Sequence, residues 1–169
     1  LNTSASIVWQ NLINTTASAN GGLNKGTGGT GYNAWASANP IGQQDAFTVM
    51  SSFSTRFKSM YVGLNTSSAT ELDVSNWQFS WLLGGGLLGT DGGVTARVGN
   101  TAVGGCLQCL DTTHYYRIKR EYGKIIFQRS TDGGVTFDNI YTHESECGNY
   151  EDLYPVFTSV TAGGSDTGL

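Results

Sequence analysis

Short runs in which apolar and polar residues alternate, separated by glycine-rich turns, make up most of the chain. The clearest run is Asn76–Trp81, where three aromatic residues alternate with three polar ones. Shorter runs repeat the pattern at Ile7–Trp9, Tyr116–Ile118 and Ile125–Phe127. Because side chains alternate between the two faces of a strand, this pattern predicts β-strands, and the Asp-Gly and Gly-Gly steps between them predict tight turns.

Two hairpins are predicted in the second half of the chain. The first covers His114–Arg129 and turns at Tyr122-Gly123. The second turns at Asp132–Gly134 and returns through Phe137 to Thr142. In both, a short turn with glycine joins two segments rich in β-branched and aromatic residues, which is typical of antiparallel neighbours.

Residues 43–62 are the segment whose apolar spacing also fits a helix. Serine, threonine and aromatic residues are mediocre helix formers and are frequent here, so we predict two strands broken near Ser54-Thr55. The whole chain then has about ten to twelve short strands and little helix. This pattern favours an all-β fold, a two-sheet antiparallel β-sandwich, over an open sheet.

Composition narrows the class of protein further. The chain has 169 residues, of which 13% are charged, and a net charge of −4; this length predicts a single domain over residues 1–169. The acidic balance argues against a nucleic-acid partner, because binding to phosphates needs positive charge. No apolar run approaches the roughly 18 residues of a membrane span.

The two ends of the chain predict that it is an excerpt of a longer, processed chain. It starts at Leu1 without methionine, and it ends in the turn-like segment Gly163–Leu169.

Several short motifs resemble, in their order along the chain, those of a group of extracellular domains. The carrying segments are 7–14 (Ile-Val-Trp-Gln-Asn-Leu-Ile-Asn), 31–37 (Gly-Tyr-Asn-Ala-Trp-Ala-Ser) and 60–65 (Met-Tyr-Val-Gly-Leu-Asn), continued by 71–73, 116–120, 124–127 and 153–156. They are similar to concanavalin A-like lectin/glucanase domains, including LamG-like modules of secreted and surface proteins. The resemblance implies a jelly-roll sandwich at an extracellular or cell-surface location. The chain departs from the family at Tyr32, Trp35 and the loop Gly84–Gly93, and it lacks a last strand, expected after Leu169.

Hydrolases that share the resembled fold use a strand motif like Glu-x-Asp-x-x-Glu, whose carboxylates act as nucleophile and acid/base. Here Glu71 and Asp73 supply the first two groups, and Asn76 stands where the second glutamate is expected. Because an amide cannot protonate a leaving group, we predict that the chain is not an enzyme.

The three cysteines allow two interpretations. Cys106, Cys109 and Cys147, with His114 and His143, have the ligand types of a tetrahedral zinc site. In an oxidising compartment, Cys147 would instead form a disulfide with Cys106 or Cys109 and leave one thiol. Closing this loop would stabilise the fold by about 3–4 kcal/mol. Given the extracellular resemblance, we favour the disulfide and predict no metal.

Sugar binding needs aromatic faces for stacking, and amides or carboxylates for the hydroxyl groups. The candidate ligand-binding residues with these properties are Tyr32, Asn33, Trp35, Asp73 and Tyr150. Trp77 and Trp81 lie on an alternating run and are predicted to be core residues. Asp73, Asp91 and Asp132 could ligate calcium, but no Asp-x-Asp-x-Asp loop supports this, and no cofactor is predicted.

Residues Ser130–Phe137 resemble the Asp-box turn of sialidase propellers, Ser-x-Asp-x-Gly-x-Thr-Trp. A propeller needs repeats and this chain has one copy, so we predict a rigid hairpin turn in which Asp132 accepts backbone hydrogen bonds. Nearby, a stripe of basic residues is predicted to be a solvated outer surface, with a dock for an anionic glycan as the alternative: Arg117, Lys119, Arg120, Lys124 and Arg129.

Together these observations predict a non-catalytic extracellular module that recognises glycans or mediates adhesion at a cell or particle surface. Its partner would be a carbohydrate or a surface glycoprotein. Sequons at Asn2, Asn14 and Asn65 are N-glycosylation candidates in such a location. The alternative is a structural subunit of an extracellular filament or coat that self-associates through β-sheet edges. A glycoside hydrolase is the minor alternative.

Overall fold

The computed structural model describes residues 7–19, 22–25, 34–50, 59–85, 91–106, 110–111, 113–121, 123–144 and 152–160. Within them no helix has the length and apolar character needed to cross a membrane. They contain one 3-10 helix, Val74–Asn76, and thirteen strands: β1 (Trp9–Ile13), β2 (Thr15–Ala17), β3 (Leu23–Lys25), β4 (Trp35–Ala38), β5 (Ala46–Met50), β6 (Ser59–Asn65), β7 (Phe79–Gly85), β8 (Asp91–Val98), β9 (Thr101–Cys106), β10 (Tyr115–Glu121), β11 (Lys124–Ser130), β12 (Asp138–Glu144) and β13 (Tyr154–Val160).

The strands form two large antiparallel sheets. The seven-stranded sheet has the order β1-β4-β13-β6-β7-β8-β9, and the four-stranded sheet has the order β12-β11-β10-β5. A separate hairpin pairs β2 with β3, two strands of three residues each. The prediction of an all-β, two-sheet sandwich is confirmed. The number of strands slightly exceeds the prediction, because runs as short as β2 and β3 carry no readable alternation.

The main hydrophobic core lies between the two sheets. Its central residue is Trp81 of β7, whose ring centroid lies 5.6 Å from that of Tyr116 and 5.3 Å from that of Phe127 in the opposite sheet. All three side chains are at most 1% exposed. Burying side chains of this size contributes about 1.5–3 kcal/mol each, so these contacts supply much of the free energy that holds the sheets together.

A second hydrophobic cluster lies on the outer face of the seven-stranded sheet. It consists of Trp35, Tyr61, Trp77, Leu82 and Val156. The ring centroid of Trp77 lies 5.8 Å from that of Trp35 and 6.3 Å from that of Tyr61. The side chain of Trp77 therefore covers part of a sheet face that would otherwise expose aromatic rings to water. We call these five residues the outer cluster.

The prediction of one strand over Asn76–Trp81 with its three aromatic residues on one face is wrong. Residues Val74–Asn76 form the 3-10 helix, and β7 begins only at Phe79. Phe79 and Trp81 face the core between the sheets, whereas Trp77 belongs to the outer cluster. The break arises because the Asp73 side chain caps the 3-10 turn, accepting a hydrogen bond from Ser75 N.

Both predicted hairpins are present. The strands β10 and β11 pair from Tyr115↔Ser130 to Glu121↔Lys124, with Gly123 at φ 79° in the turn. The strand β12 pairs with β11 after the connection formed by residues 131–137. The segment 43–62 contains two strands, as predicted: β5 lies in the four-stranded sheet and β6 in the seven-stranded one. The predicted break near Ser54-Thr55 lies outside the described residues.

Candidate functional site

Trp35 is a candidate for stacking on a sugar, but the structure buries its side chain. The residue lies inside β4, and its side chain is 0% exposed. Both faces of β4 are buried, because one faces the core between the sheets and the other carries the outer cluster. The ring of Trp35 thus offers no face to a ligand. Tyr32, Asn33 and Tyr150 lie outside the described residues.

The carboxylates of Glu71 and Asp73 hold a turn and do not lie on a strand. Glu71 accepts hydrogen bonds from Asp73 N (2.9 Å) and Asn76 Nδ2 (3.1 Å). Asp73 accepts from Ser75 Oγ (2.6 Å) and Ser75 N (3.0 Å). These hydrogen bonds, first that of the Ser75 hydroxyl, lower the pKa of Asp73 below its usual value. A general acid needs a raised pKa, so Asp73 is an ionised hydrogen-bond acceptor in this turn and is not suited to protonate a leaving group.

Of the three cysteines, Cys106 is the one that lies among the described residues. Cys106 ends β9 and is half-buried, with Arg129 Nη1 3.2 Å from its sulfur. Cys109 and Cys147 lie outside the described residues. Among the residues that are described, no group of three or more histidine, cysteine, aspartate or glutamate side chains could hold a metal ion. The choice between zinc, with Cys106, Cys109, His114 and Cys147, and a disulfide stays a prediction.

Two of the three sequons lie in described parts of the chain, in contrasting environments. Asn14 is exposed between β1 and β2, with a φ of 49°. Asn65 ends β6 and is only 5% exposed, and its Oδ1 accepts a hydrogen bond from Thr66 N (3.0 Å). Asn2 lies outside the described residues.

The predicted basic stripe is divided between environments. Arg120, predicted to be solvated, is 3% exposed and donates to the Ile41 carbonyl (2.7 Å). Arg129 lies on the same face of β11 as the core residue Phe127, and its Nη1 lies 3.2 Å from the Cys106 sulfur. Strand alternation places only the remaining three on the outer face of the four-stranded sheet: Arg117, Lys119 and Lys124. The continuous basic surface that the sequence suggested therefore does not form.

On this outer face, three polar side chains from adjacent strands join in one hydrogen-bonded row. Arg117 of β10 pairs in register with Gln128 of β11, which pairs with Asn139 of β12. Arg117 Nε donates to Gln128 Oε1 (2.7 Å), and Gln128 Nε2 donates to Asn139 Oδ1 (2.6 Å). Gln128 is 8% exposed, so both ends of its amide are fixed in place. We call these three residues the polar row.

A β-bulge in β12 gives the polar row its third member. The register passes from Phe127↔Tyr141 to Gln128↔Asn139, so Ile140 is the extra residue. Ile140 and Tyr141 both pack against the main core, and the bulge turns Asn139 to the outer face. Without the bulge, Ile140 would stand opposite Gln128. Bulges often re-aim a side chain next to a functional surface.

The Ser130–Phe137 turn closes one end of this face. Asp132 accepts from Ser130 Oγ (2.6 Å), Thr136 Oγ1 (2.7 Å) and Thr136 N (3.0 Å). These bonds lower the pKa of Asp132 strongly, so it is an ionised acceptor that fixes the loop. The predicted rigid turn has the expected hydrogen bonds. Its last residue, Phe137, packs against Arg117, whose Cζ lies 3.6 Å from the ring centroid.

The polar row therefore presents the guanidinium group of Arg117, which is held by the Phe137 ring and the Gln128 amide. The exposed amide of Asn139 lies at the other end of the row. These groups donate hydrogen bonds to oxygen atoms and carry no acid/base function. The sequence places Arg117 in a basic stripe predicted to be a solvated surface, with a dock for an anionic glycan as the alternative. No sequence pattern singles out Gln128, because it follows the apolar run Ile125–Phe127 and is itself followed by the polar residues Arg129 and Ser130.

Comparisons with known proteins support the fold. No family model matches the sequence, and no curated protein matches it. Among solved structures, the lumenal domain of VIP36 with bound Ca2+ and Man3GlcNAc matches with a TM-score of 0.60 and 8% identity, covering 95% of this chain and 79% of that chain. The Lotus tetragonolobus seed lectin matches with a TM-score of 0.58 and 12% identity, covering 98% and 90%.

Stonustoxin matches with a TM-score of 0.57 and 12% identity over 92% of this chain, which spans only 26% of the length of that chain. These neighbours have concanavalin A-like jelly-roll folds, which confirms the fold implied by the sequence resemblance. Identities this low show the fold alone, and a fold by itself does not establish a function.

Proposed function

We propose that this chain is a non-catalytic carbohydrate-binding module and that the polar row is part of its binding surface. The observation that carries the proposal is the row itself: three linked side chains on the outer face of the four-stranded sheet, of which Asn139 is turned outward by a bulge. Planar polar side chains and a nearby ring are the groups that bind sugar hydroxyls and sugar faces. The likeness to two lectin structures supports the same ligand class.

The polar row can be tested with a matched pair of variants. Gln128→Met keeps the side-chain length and removes both hydrogen bonds. Gln10→Met makes the same change on β1, where Gln10 donates to the exposed Asn39 and to no other described residue. The wild-type protein and both variants are run through native gels containing a panel of neutral and acidic polysaccharides. We expect retardation of the wild type and of Gln10→Met, and loss of retardation in Gln128→Met.

Two outcomes would contradict the proposal. One is a folded wild-type protein that no polysaccharide in the panel retards. The other is a folded Gln128→Met variant that is retarded as strongly as the wild type, since the row would then contribute nothing to binding. Folding of each variant is checked by circular dichroism and thermal unfolding before the gels are compared.

The proposal includes an extracellular or lumenal location, adhesion at a surface, and a disulfide that involves Cys106. The location is supported by the VIP36 neighbour, an exoplasmic/lumenal domain. The disulfide follows from the proposed location, because cysteines pair in an oxidising compartment. Intact mass after alkylation, with and without reductant, counts the free thiols. Three free thiols without reductant would contradict the disulfide.

The apolar edge of the seven-stranded sheet favours a second candidate function, a subunit that self-associates through sheet edges. Next to and within the edge strand β1, Val8 is 70% exposed, Leu12 41% and Ile13 40%. Exposed apolar edges promote pairing with another chain. The bulge between Gln10 and Ile13 opposes regular pairing, which makes this candidate the weaker one. Sizing over a wide concentration range tests it: a constant monomer mass rejects it, and growth that Leu12→Asp abolishes supports it.

A further inference from the structure

We infer that the saccharide recognised at the polar row is acidic and that Arg117 determines this specificity by binding its carboxylate. This inference rests on the proposed function and names the class of ligand for the same surface. It follows from the environment of one cation, which differs from that of its neighbours on the same sheet face.

Among the described residues, Arg117 lacks the carboxylate partner that Lys119 and Lys124, its neighbours on the same face, have. Lys119 Nζ lies 3.3 Å from Glu121 Oε2, and Lys124 Nζ lies 3.0 Å from Glu144 Oε1. In the part of the chain that the structure describes, no acidic side chain forms an ion pair with Arg117. The charge of the two lysines is therefore neutralised locally, and that of Arg117 is available to a ligand.

The guanidinium of Arg117 is held in a fixed orientation. Its Nε is used by Gln128 (2.7 Å), and its face rests on the ring of Phe137 at 3.6 Å. These contacts leave the Nη1 and Nη2 groups, which can donate two parallel hydrogen bonds to one carboxylate. A guanidinium fixed before binding loses little side-chain entropy when the ligand arrives.

Burial makes the unpaired charge costly in the free protein. Arg117 is half-buried, and desolvation lowers the pKa of its guanidinium. A bound carboxylate would restore the interactions that burial removes, and this gain would be part of the binding free energy. The exposed amide of Asn139 lies at the other end of the row, where its Nδ2 can donate to a sugar hydroxyl.

Non-specific attraction of polyanions does not explain such a site. The chain has a net charge of −4, so its overall field repels acidic polymers. Binding of an acidic saccharide would have to depend on a local, oriented cation. That dependence separates the inference from simple charge attraction and defines the experiment.

The experiment measures affinity for polygalacturonate, a polymer of carboxylated sugars, beside neutral dextran and sulfated dextran, by affinity electrophoresis of the whole chain. Five variants are compared. Arg117→Gln removes the charge, and Arg117→Lys keeps the charge without the two-pronged donor. Lys124→Gln removes a neighbouring charge that is already paired. Asn139→Asp places a carboxylate in the row, and Asn100→Asp, beside Arg97 on the other sheet, is its matched control.

We expect Arg117→Gln and Asn139→Asp to weaken polygalacturonate binding about tenfold or more, as for the loss of a charged hydrogen-bonded pair. Arg117→Lys should lie between Arg117→Gln and the wild type. Lys124→Gln and Asn100→Asp should stay within about twofold of the wild type, because a screened surface charge contributes little. Thermal unfolding of all variants separates loss of binding from loss of fold.

Four results would overturn the inference. Equal weakening by Arg117→Gln and Lys124→Gln would mean charge attraction without a site. Tighter binding to sulfated dextran than to polygalacturonate, with both affinities unchanged in Arg117→Gln, would also mean charge attraction without a site. Binding to neutral dextran that Arg117→Gln leaves intact would reject the acidic ligand and keep the proposed function, whereas no binding to any polysaccharide would reject both.

Discussion

The outer faces of the two sheets differ in how their side chains are stabilised, by a covering ring on one sheet and by hydrogen bonds on the other. On the seven-stranded sheet the outer face carries tryptophan and tyrosine rings, and Trp77, from the segment before β7, covers them. On the four-stranded sheet the outer face carries the polar row and paired charges, and the polar row ends at an exposed amide. Aromatic rings require a cover, whereas a hydrogen-bonded polar row can be partly exposed, here at Arg117 and Asn139. The outer face of the four-stranded sheet, which we call the open face, is therefore the one suited to a polar ligand.

Removing the cover should have the largest effect on stability. Trp77→Ala deletes a ring that is 1% exposed and uncovers Trp35 and Tyr61, so we expect a loss of about 3–5 kcal/mol in the free energy of unfolding. Phe137→Ala removes a ring on the open face, where the contact with Arg117 is worth about 1 kcal/mol. Urea denaturation of both variants measures the difference. Equal losses of unfolding free energy would show that the ring of Trp77 contributes no more to stability than the ring of Phe137.

The two faces also differ in how far the sequence could predict them. In β10, alternation of Tyr116 and Ile118 with charged residues separates a core face from an outer face, and the structure agrees. In β4 and at Trp77 the alternation of apolar and polar residues does not separate the two faces. The outer face of this sheet is covered, so buried apolar side chains lie on both of its sides. The bulge at Ile140 is also invisible to a period-two pattern. Asn139 could be assigned to the polar row only once the register was known.

An intermediate effect is expected for the turn that borders the open face, and it should depend on pH. Hydrogen bonds from Ser130, and then from Thr136, lower the pKa of Asp132 in the folded state. A folded pKa below the unfolded value of about 3.9 means that the ionised carboxylate stabilises the fold above that pH. This contribution is lost as the pH falls below about 4. Asp132→Asn should therefore be less stable than the wild type near neutral pH, and the difference should shrink in acid.

Urea denaturation at several pH values between about 2 and 7 measures this dependence. Asp138→Asn is the matched control: it removes the same charge one residue after Phe137, and the Asp138 side chain makes no hydrogen bond among the described residues. A stability difference between Asp132→Asn and the wild type that stays constant through the acid range would contradict the role given to the Asp132 carboxylate.

The smallest expected effect on the fold concerns glycosylation of the sequons. It tests whether the outer face of the seven-stranded sheet is inaccessible to a glycosylating enzyme as well as to water. The side chain of Asn65 is 5% exposed and tied to Thr66 N, whereas that of Asn14 is exposed. An oligosaccharide can be attached only to an accessible amide nitrogen. In a secretory host we therefore expect a glycan on Asn14 and none on Asn65. Intact mass should fall by one glycan in Asn14→Gln and by none in Asn65→Gln; a glycan on Asn65 would show that β6 is accessible before the outer cluster closes over the sheet.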